Sequence, residues 1–85
     1  MKIVINGDYG GFSCGVNLFY RDMVRSYSAD RTNSELVQFV ENNPCLCGDL
    51  KVVTIPDSAT DWEITEYDGF ENVIYVEDGK IYWVS

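Results

Sequence analysis

The chain has 85 residues, 46% of them hydrophobic and 14% aromatic, enough for one folded domain over residues 1–85 and too few for a second core. Fourteen Asp and Glu against six Lys and Arg leave a formal charge of -8, which disfavours direct binding to nucleic acid or to an anionic lipid surface by counterion release. Histidine is absent, which removes imidazole from any nucleophile system, zinc centre or general-base role, and the residues point to a non-enzyme without a cofactor.

Lys2 to Asn6 alternates and is β-branched, and Gly7, Gly10, Gly11 and Gly15 follow it, the pattern of a strand ending in a turn. The apolar run Ile3 to Ile5 is far shorter than the roughly 7–15 residues of a signal-peptide core. No stretch approaches the roughly 18 apolar residues of a membrane span. The expectation is a soluble protein of the cytoplasm with no membrane partner. Val16, Phe19, Tyr20, Met23 and Tyr27 recur on one helical stripe with Arg21, Asp22 and Arg25 off it, predicting a first helix to about Ser26. Thr32 and Glu35 have capping-box spacing ahead of Leu36, Val37 and Val40, predicting a second helix to about Asn42. Asn43-Pro44 stops it, because a residue before proline avoids the helical region.

Beyond Pro44 the period becomes two. Lys51 to Ile55 reads as a strand closed by Pro56-Asp57-Ser58. Trp62 to Tyr67 alternates up to Asp68-Gly69, and Asn72 to Val76 and Lys80 to Val84 flank Asp78-Gly79; both dipeptides suit two-residue hairpin turns. The predicted fold class is α+β: an N-terminal strand, two helices, then a mainly antiparallel sheet ending in a three-strand meander, in the order β-α-α-β-β-β-β, with the helices on one face.

Cys14, Cys45 and Cys47 are an odd number of thiols in a chain without an export signal, which argues against a disulfide framework. Cys45 and Cys47 stand closer than a zinc knuckle, and a fourth ligand would have to be a carboxylate or come from a second chain. The residues read as buried or incidental thiols, with no metal.

The charge is uneven. Met1 to Lys51 carries about -1, whereas Val52 to Ser85 holds eight acids and one base. Asp57, Asp61, Glu63, Glu66, Asp68, Glu71, Glu77 and Asp78 fall near turns or at alternating strand positions, an arrangement that predicts one anionic face. One reading is solubility and protection of strand edges. The other is that spaced carboxylates imitate a phosphate backbone and occupy the lysines and arginines of a basic groove. Tyr67, Phe70, Tyr75, Tyr82 and Trp83 crowd the last strands; they either cover the sheet as core or supply interface anchors. No Asp-x-Asp-x-Asp-Gly run exists for a calcium loop.

Gly7 to Gly15 joins the first strand to the first helix, where free backbone N–H groups can hold an anion. Asp8, Tyr9, Gly10, Gly11 and Phe12 are the residues that would hold a small ligand or nucleotide there. The spacing matches neither dinucleotide nor P-loop signatures, and Asp8 opposes phosphate. The plainer reading is a tight reversal under Tyr9 and Phe12. Asp8, Ser13 and Cys14 have no cation placed to activate the thiol, and no catalytic residue is assigned.

Lys2-Ile3-Val4-Ile5-Asn6 followed by Tyr9-Gly10-Gly11-Phe12, together with Leu50-Lys51-Val52-Val53-Thr54-Ile55-Pro56-Asp57 and Asp61-Trp62-Glu63-Ile64-Thr65-Glu66-Tyr67-Asp68-Gly69, resembles a family of small, largely uncharacterised phage and bacterial proteins. Their chains begin VINTCYGGFGLS and later read LKVVEIPDDVEWEIEEYDG. These blocks cover about a third of the chain, and Ser34-Glu35-Leu36-Val37 is similar to the family's PDLVEVVEE helix. The chain departs at Gly7 and Asp8, where the family has Thr-Cys, and at Ser13, Cys14 and Gly15 in place of Gly-Leu-Ser, so no role of the family's cysteine carries over. The resemblance implies a phage or prophage origin and a shared α+β fold.

The functional expectation is a phage-encoded inhibitor of a host defence nuclease complex, of the anti-CRISPR type, that fills a basic nucleic-acid groove. Asp61, Glu63, Glu66, Asp68, Glu71, Glu77 and Asp78 would meet cations of a basic host protein or nucleoprotein complex, while Tyr67 and Phe70 supply anchors. The alternative is a small-ligand or nucleotide-sequestering protein using residues 7–15. A third reading takes Lys80 to Val84 as an edge strand that pairs with its twin to give a homodimer.

Overall fold

Alternating β-branched residues and two Asp-Gly turns set the strands. The structure, a computed structural model, describes residues 1–7, 23–43 and 49–85. It contains β1 (Lys2–Asn6), the helical residues 23–25 (α1), α2 (Ser34–Asn42), β2 (Leu50–Thr54), β3 (Asp61–Tyr67), β4 (Phe70–Glu77) and β5 (Lys80–Val84). This is the α+β order β-α-α-β-β-β-β predicted above. The loop from Asp8 to Gly15, the stripe residues Val16, Phe19 and Tyr20, Pro44, and Cys14, Cys45 and Cys47 lie outside the described residues.

The strands divide into two sheets rather than one. β1 and β2 form an antiparallel ribbon with Ile3 opposite Val53 and Val4 opposite Val52. β3, β4 and β5 form the antiparallel meander. The division follows from β1, which is apolar on both faces and is therefore buried between two layers. Val4 and Leu50 pack with Val24 and with Leu36, Val37 and Val40 of α2. Ile3, Ile5, Val53 and Ile55 pack on the other side against Val73, Trp62, Ile64, Tyr75 and Val84 of the meander. Each such Ile or Val contributes about 1.5–3 kcal/mol of burial free energy.

Both meander turns have left-handed backbone at their two central residues: Asp68 and Gly69 at φ 52° and 90°, Asp78 and Gly79 at 51° and 74°. That is the type I′ geometry whose twist matches that of paired strands. The start of α2 differs from the predicted capping box. Asn33 is the N-cap, its Oδ1 accepting from the N–H groups of Glu35 at 2.9 Å and Leu36 at 3.3 Å. The Thr32 hydroxyl donates instead to Asp30 Oδ1 at 3.3 Å, and the Glu35 carboxylate accepts from the Tyr27 hydroxyl at 3.0 Å. Among the described residues no helix is long and apolar enough to cross a membrane.

Candidate protein-binding site

The meander has two faces because strand side chains alternate. Its inner face, built from Trp62, Ile64, Val73, Tyr75 and Val84, covers the β1-β2 ribbon. Tyr82 shares that face and stacks on Tyr75, with ring centroids 5.3 Å apart and planes 20° apart. The outer face carries Asp61, Glu63 and Tyr67 of β3, Phe70, Ile74 and Val76 of β4, and Ile81 and Trp83 of β5. Ile74 lies opposite Trp83 and Val76 opposite Ile81. These four side chains, with Asp61 and Glu63, line a hollow of about 630 Å³. Ile81 is 67% exposed and Trp83 65%. A second hollow, about 540 Å³, lies between the chain start and α2, where Lys2 Nζ donates to Glu41 Oε1 at 2.9 Å.

The acidic residues do not gather on one surface. Asp61 and Glu63 border the outer hollow. Glu66 is exposed but belongs to the opposite face, in register with Glu71. Asp68 and Asp78 sit in turns at the two ends of the eight-residue strand β4, a separation of about 25 Å at the rise of an extended chain. Glu77 lies on the inner-face side and accepts a hydrogen bond from the Ser58 hydroxyl. Asp57 accepts from the Met1 amino group at 3.0 Å.

Glu71 has to be taken off the partner-binding set. It is 4% exposed, and its carboxylate accepts from Arg31 Nη1 at 2.7 Å, Arg31 Nη2 at 2.9 Å and the Asn6 N–H at 2.7 Å. The reason is the open edge of β1. Met1 and Ile55 exchange ladder bonds and the Gly7 N–H donates to the Asp49 carbonyl, so the ladder alternation points the backbone groups of Val4 and Asn6 away from β2. The Val4 N–H donates to the Arg31 carbonyl at 2.9 Å, and the Val4 carbonyl accepts from Arg31 Nη1 at 3.3 Å. Arg31 and Glu71 together satisfy an edge that would otherwise be buried unpaired. Asn6 Nδ2 adds a bond to the Gly69 carbonyl at 2.7 Å, tying β1 to the first hairpin turn.

Comparison with known proteins finds no match among family models, curated proteins or solved structures. The site therefore rests on its own geometry. Among the described residues no group of three or more His, Cys, Asp or Glu side chains gathers as a metal site would require. The ligand-loop residues Asp8, Tyr9, Gly10, Gly11 and Phe12 fall outside the described residues.

Of the predicted partner residues, the structure brings Asp61, Glu63, Tyr67 and Phe70 to the outer face, with Tyr67 77% exposed. The predicted set omits Ile74, Val76 and Ile81, and it leaves Trp83 among the aromatics that either cover the sheet or anchor an interface. Their signal was present: Val73, Ile74, Tyr75 and Val76 are apolar at consecutive positions, so both faces of β4 are apolar while a meander in a domain of this size covers only one of them.

Proposed function

We propose that this protein is a non-catalytic binding module whose outer meander face receives a partner protein presenting an apolar contact bordered by lysines or arginines. The observation that carries this reading is the pair Ile81 and Trp83, each about two-thirds exposed over Ile74 and Val76 beside the carboxylates of Asp61 and Glu63. Tryptophan over a shallow apolar floor supplies the binding energy of many interfaces, and flanking carboxylates steer a cationic partner toward it. The resemblance to phage proteins makes the partner a host protein. A host defence nuclease of the anti-CRISPR target class fits this description: Asp61 and Glu63 would take up arginines of its nucleic-acid groove while Trp83 anchors beside them. In this form the reading needs only a local acidic rim and not a continuous phosphate mimic.

Affinity capture from host extract tests it with three baits: the parent chain, Trp83→Ser, and a charge-reversed Asp61→Lys, Glu63→Lys form. The expected result is a cationic protein held by the parent, lost with Trp83→Ser, and bound by the charge-reversed form with slower association and weaker salt dependence. If that protein is a nuclease, the parent displaces its nucleic acid in a competition assay. Capture that is indifferent to both variants discards the proposal.

A further inference from the structure

The edges of the two sheets are treated unequally. The outward groups of β1 are taken up by Arg31 and Glu71. On β3 the Trp62 N–H donates to the Asp61 carboxylate at 2.9 Å, and Asp61, Glu63 and Glu66 line the strand. Charges and local side-chain bonds of this kind are how natural sheets prevent edge pairing. β5 has fewer of these protections, Lys80 being its single charge. Its sequence Lys-Ile-Tyr-Trp-Val contains one base, no acid and no proline, in a chain of net charge -8.

The register states which backbone groups stand open. Glu77 opposite Lys80 closes the two-residue turn at Asp78 and Gly79, and the pair closing such a turn exchanges hydrogen bonds. The pairs Tyr75 with Tyr82 and Val73 with Val84 do the same, because bonded and non-bonded pairs alternate. Ile81 and Trp83 therefore aim their N–H and carbonyl groups away from β4, and among the described residues no hydrogen bond from another element reaches them.

We propose that β5 pairs antiparallel with β5 of a second copy about a two-fold axis at Tyr82, joining the two meanders into one six-stranded sheet. Ile81 of each chain then exchanges backbone bonds with Trp83 of the other, and the two Tyr82 residues face each other as a close non-bonded pair. The Tyr75 and Tyr82 rings of both chains line up on the inner face, and Ile81 and Trp83 of both chains become neighbours on the outer face. Of the two meander edges, β5 is the one where two molecules of net charge -8 can meet: β3 would bring Asp61, Glu63 and Glu66 of both chains together, whereas β5 carries no acid and its Lys80 falls opposite Val84 of the other chain. The contact uses backbone groups at the edge, so it stands independently of the partner proposed for the outer face. Five residues per strand bury far less than the roughly 1,200 Å² of a stable interface, so the dimer is weak and reversible.

Sedimentation of the chain alone tests this. The weight-average mass should rise from 9.7 kDa toward twice that value between about 20 µM and about 1 mM protein, as mass action requires. Ile81→Pro removes an N–H that β4 does not use, so it should keep the parent circular dichroism and stay monomeric throughout. Should that variant fail to fold, amide exchange on the parent decides. The Ile81 and Trp83 amides should exchange at least about twofold more slowly at the high concentration, while the Tyr82 amide is protected at both. A mass that stays at 9.7 kDa, an Ile81→Pro chain that dimerises like the parent, or new protection on β3 instead of β5 would each overturn the proposal.

Discussion

Arg31 and Glu71 meet through two parallel hydrogen bonds of 2.7 and 2.9 Å across 40 residues of sequence, and the pair joins all three layers of the fold. Arg31 lies ahead of α2 and reaches the Val4 carbonyl of the ribbon, while Glu71 belongs to the meander. The side chains are 12% and 5% exposed. A carboxylate that looks in sequence like one more surface charge is thereby part of the interior.

Glu71→Ala should lose roughly 3–5 kcal/mol of stability, the scale of breaking one side of a buried ion pair. It removes the acceptor of the Asn6 N–H as well as the guanidinium's partner. Replacing both members, Arg31→Met with Glu71→Leu, should cost less than the single change, because no charge is then left buried alone. Urea unfolding of the parent, Glu71→Ala and the double variant measures the two losses.

The same truncation on the two sides of the meander should differ several-fold. Ile55→Ala, at a site 1% exposed, should cost about 2–5 kcal/mol. Ile81→Ala, at a site 67% exposed, should fall within about 0.5 kcal/mol of the parent. Thermal or chemical denaturation of the two variants checks that the outer face is kept for something other than stability.

Gly79→Ala should destabilise by about 1–2 kcal/mol although the space around it is open. No atom lies within 4 Å of an added Cβ, and the backbone sits at φ +74°, so the cost comes from left-handed backbone alone. Asp78→Asn should be near neutral, since Asn tolerates the same region. Equal losses at both positions would contradict the assigned turn.

At the start of α2, Asn33→Ala should cost about 0.5–2 kcal/mol through loss of the cap. Thr32→Ala should change stability by less than about 0.5 kcal/mol. The reverse order would restore the capping box that the sequence suggests.

Tyr27 donates to Glu35, and this hydrogen bond, followed by the carboxylate's charge and by partial burial, raises the tyrosine above its ordinary 10.0. A folded-state value above the unfolded one means that the folded chain holds the proton more tightly. The contribution is complete below about pH 10 and is lost as pH rises through the folded value. Ring-carbon NMR titration should find Tyr27 ionising later than a free tyrosine, and Glu35→Gln should bring it back toward the ordinary value.

What was legible in the sequence is local. Asp68-Gly69 and Asp78-Gly79 place both turns because residues that accept positive φ are few and adjacent. The alternation between them sets the meander's register, and Leu36, Val37 and Val40 mark the buried side of α2. The cap shows where local reading stops. Thr32 and Asn33 are both good N-caps by residue type. Asn33 holds the cap in the structure, while the Glu35 carboxylate that would complete Thr32's box instead accepts the Tyr27 hydroxyl.

The charge reading stops for a different reason. Counting carboxylates establishes how much negative charge the strands carry but not which neighbours they acquire. Glu66 and Glu71 stand in register on adjacent strands, yet one is exposed and the other is enclosed by Arg31 and Asn6.

The amino-acid order by itself determined the α+β class, the succession of elements and the two turns, because these depend on backbone preferences and side-chain periods within a few residues. Only the tertiary structure decided that the ribbon lies between helices and meander, that Glu71 is interior, and that Ile81 and Trp83 are left uncovered. Those outcomes depend on which of several apolar faces finds a partner, and that choice is made among segments far apart in the chain.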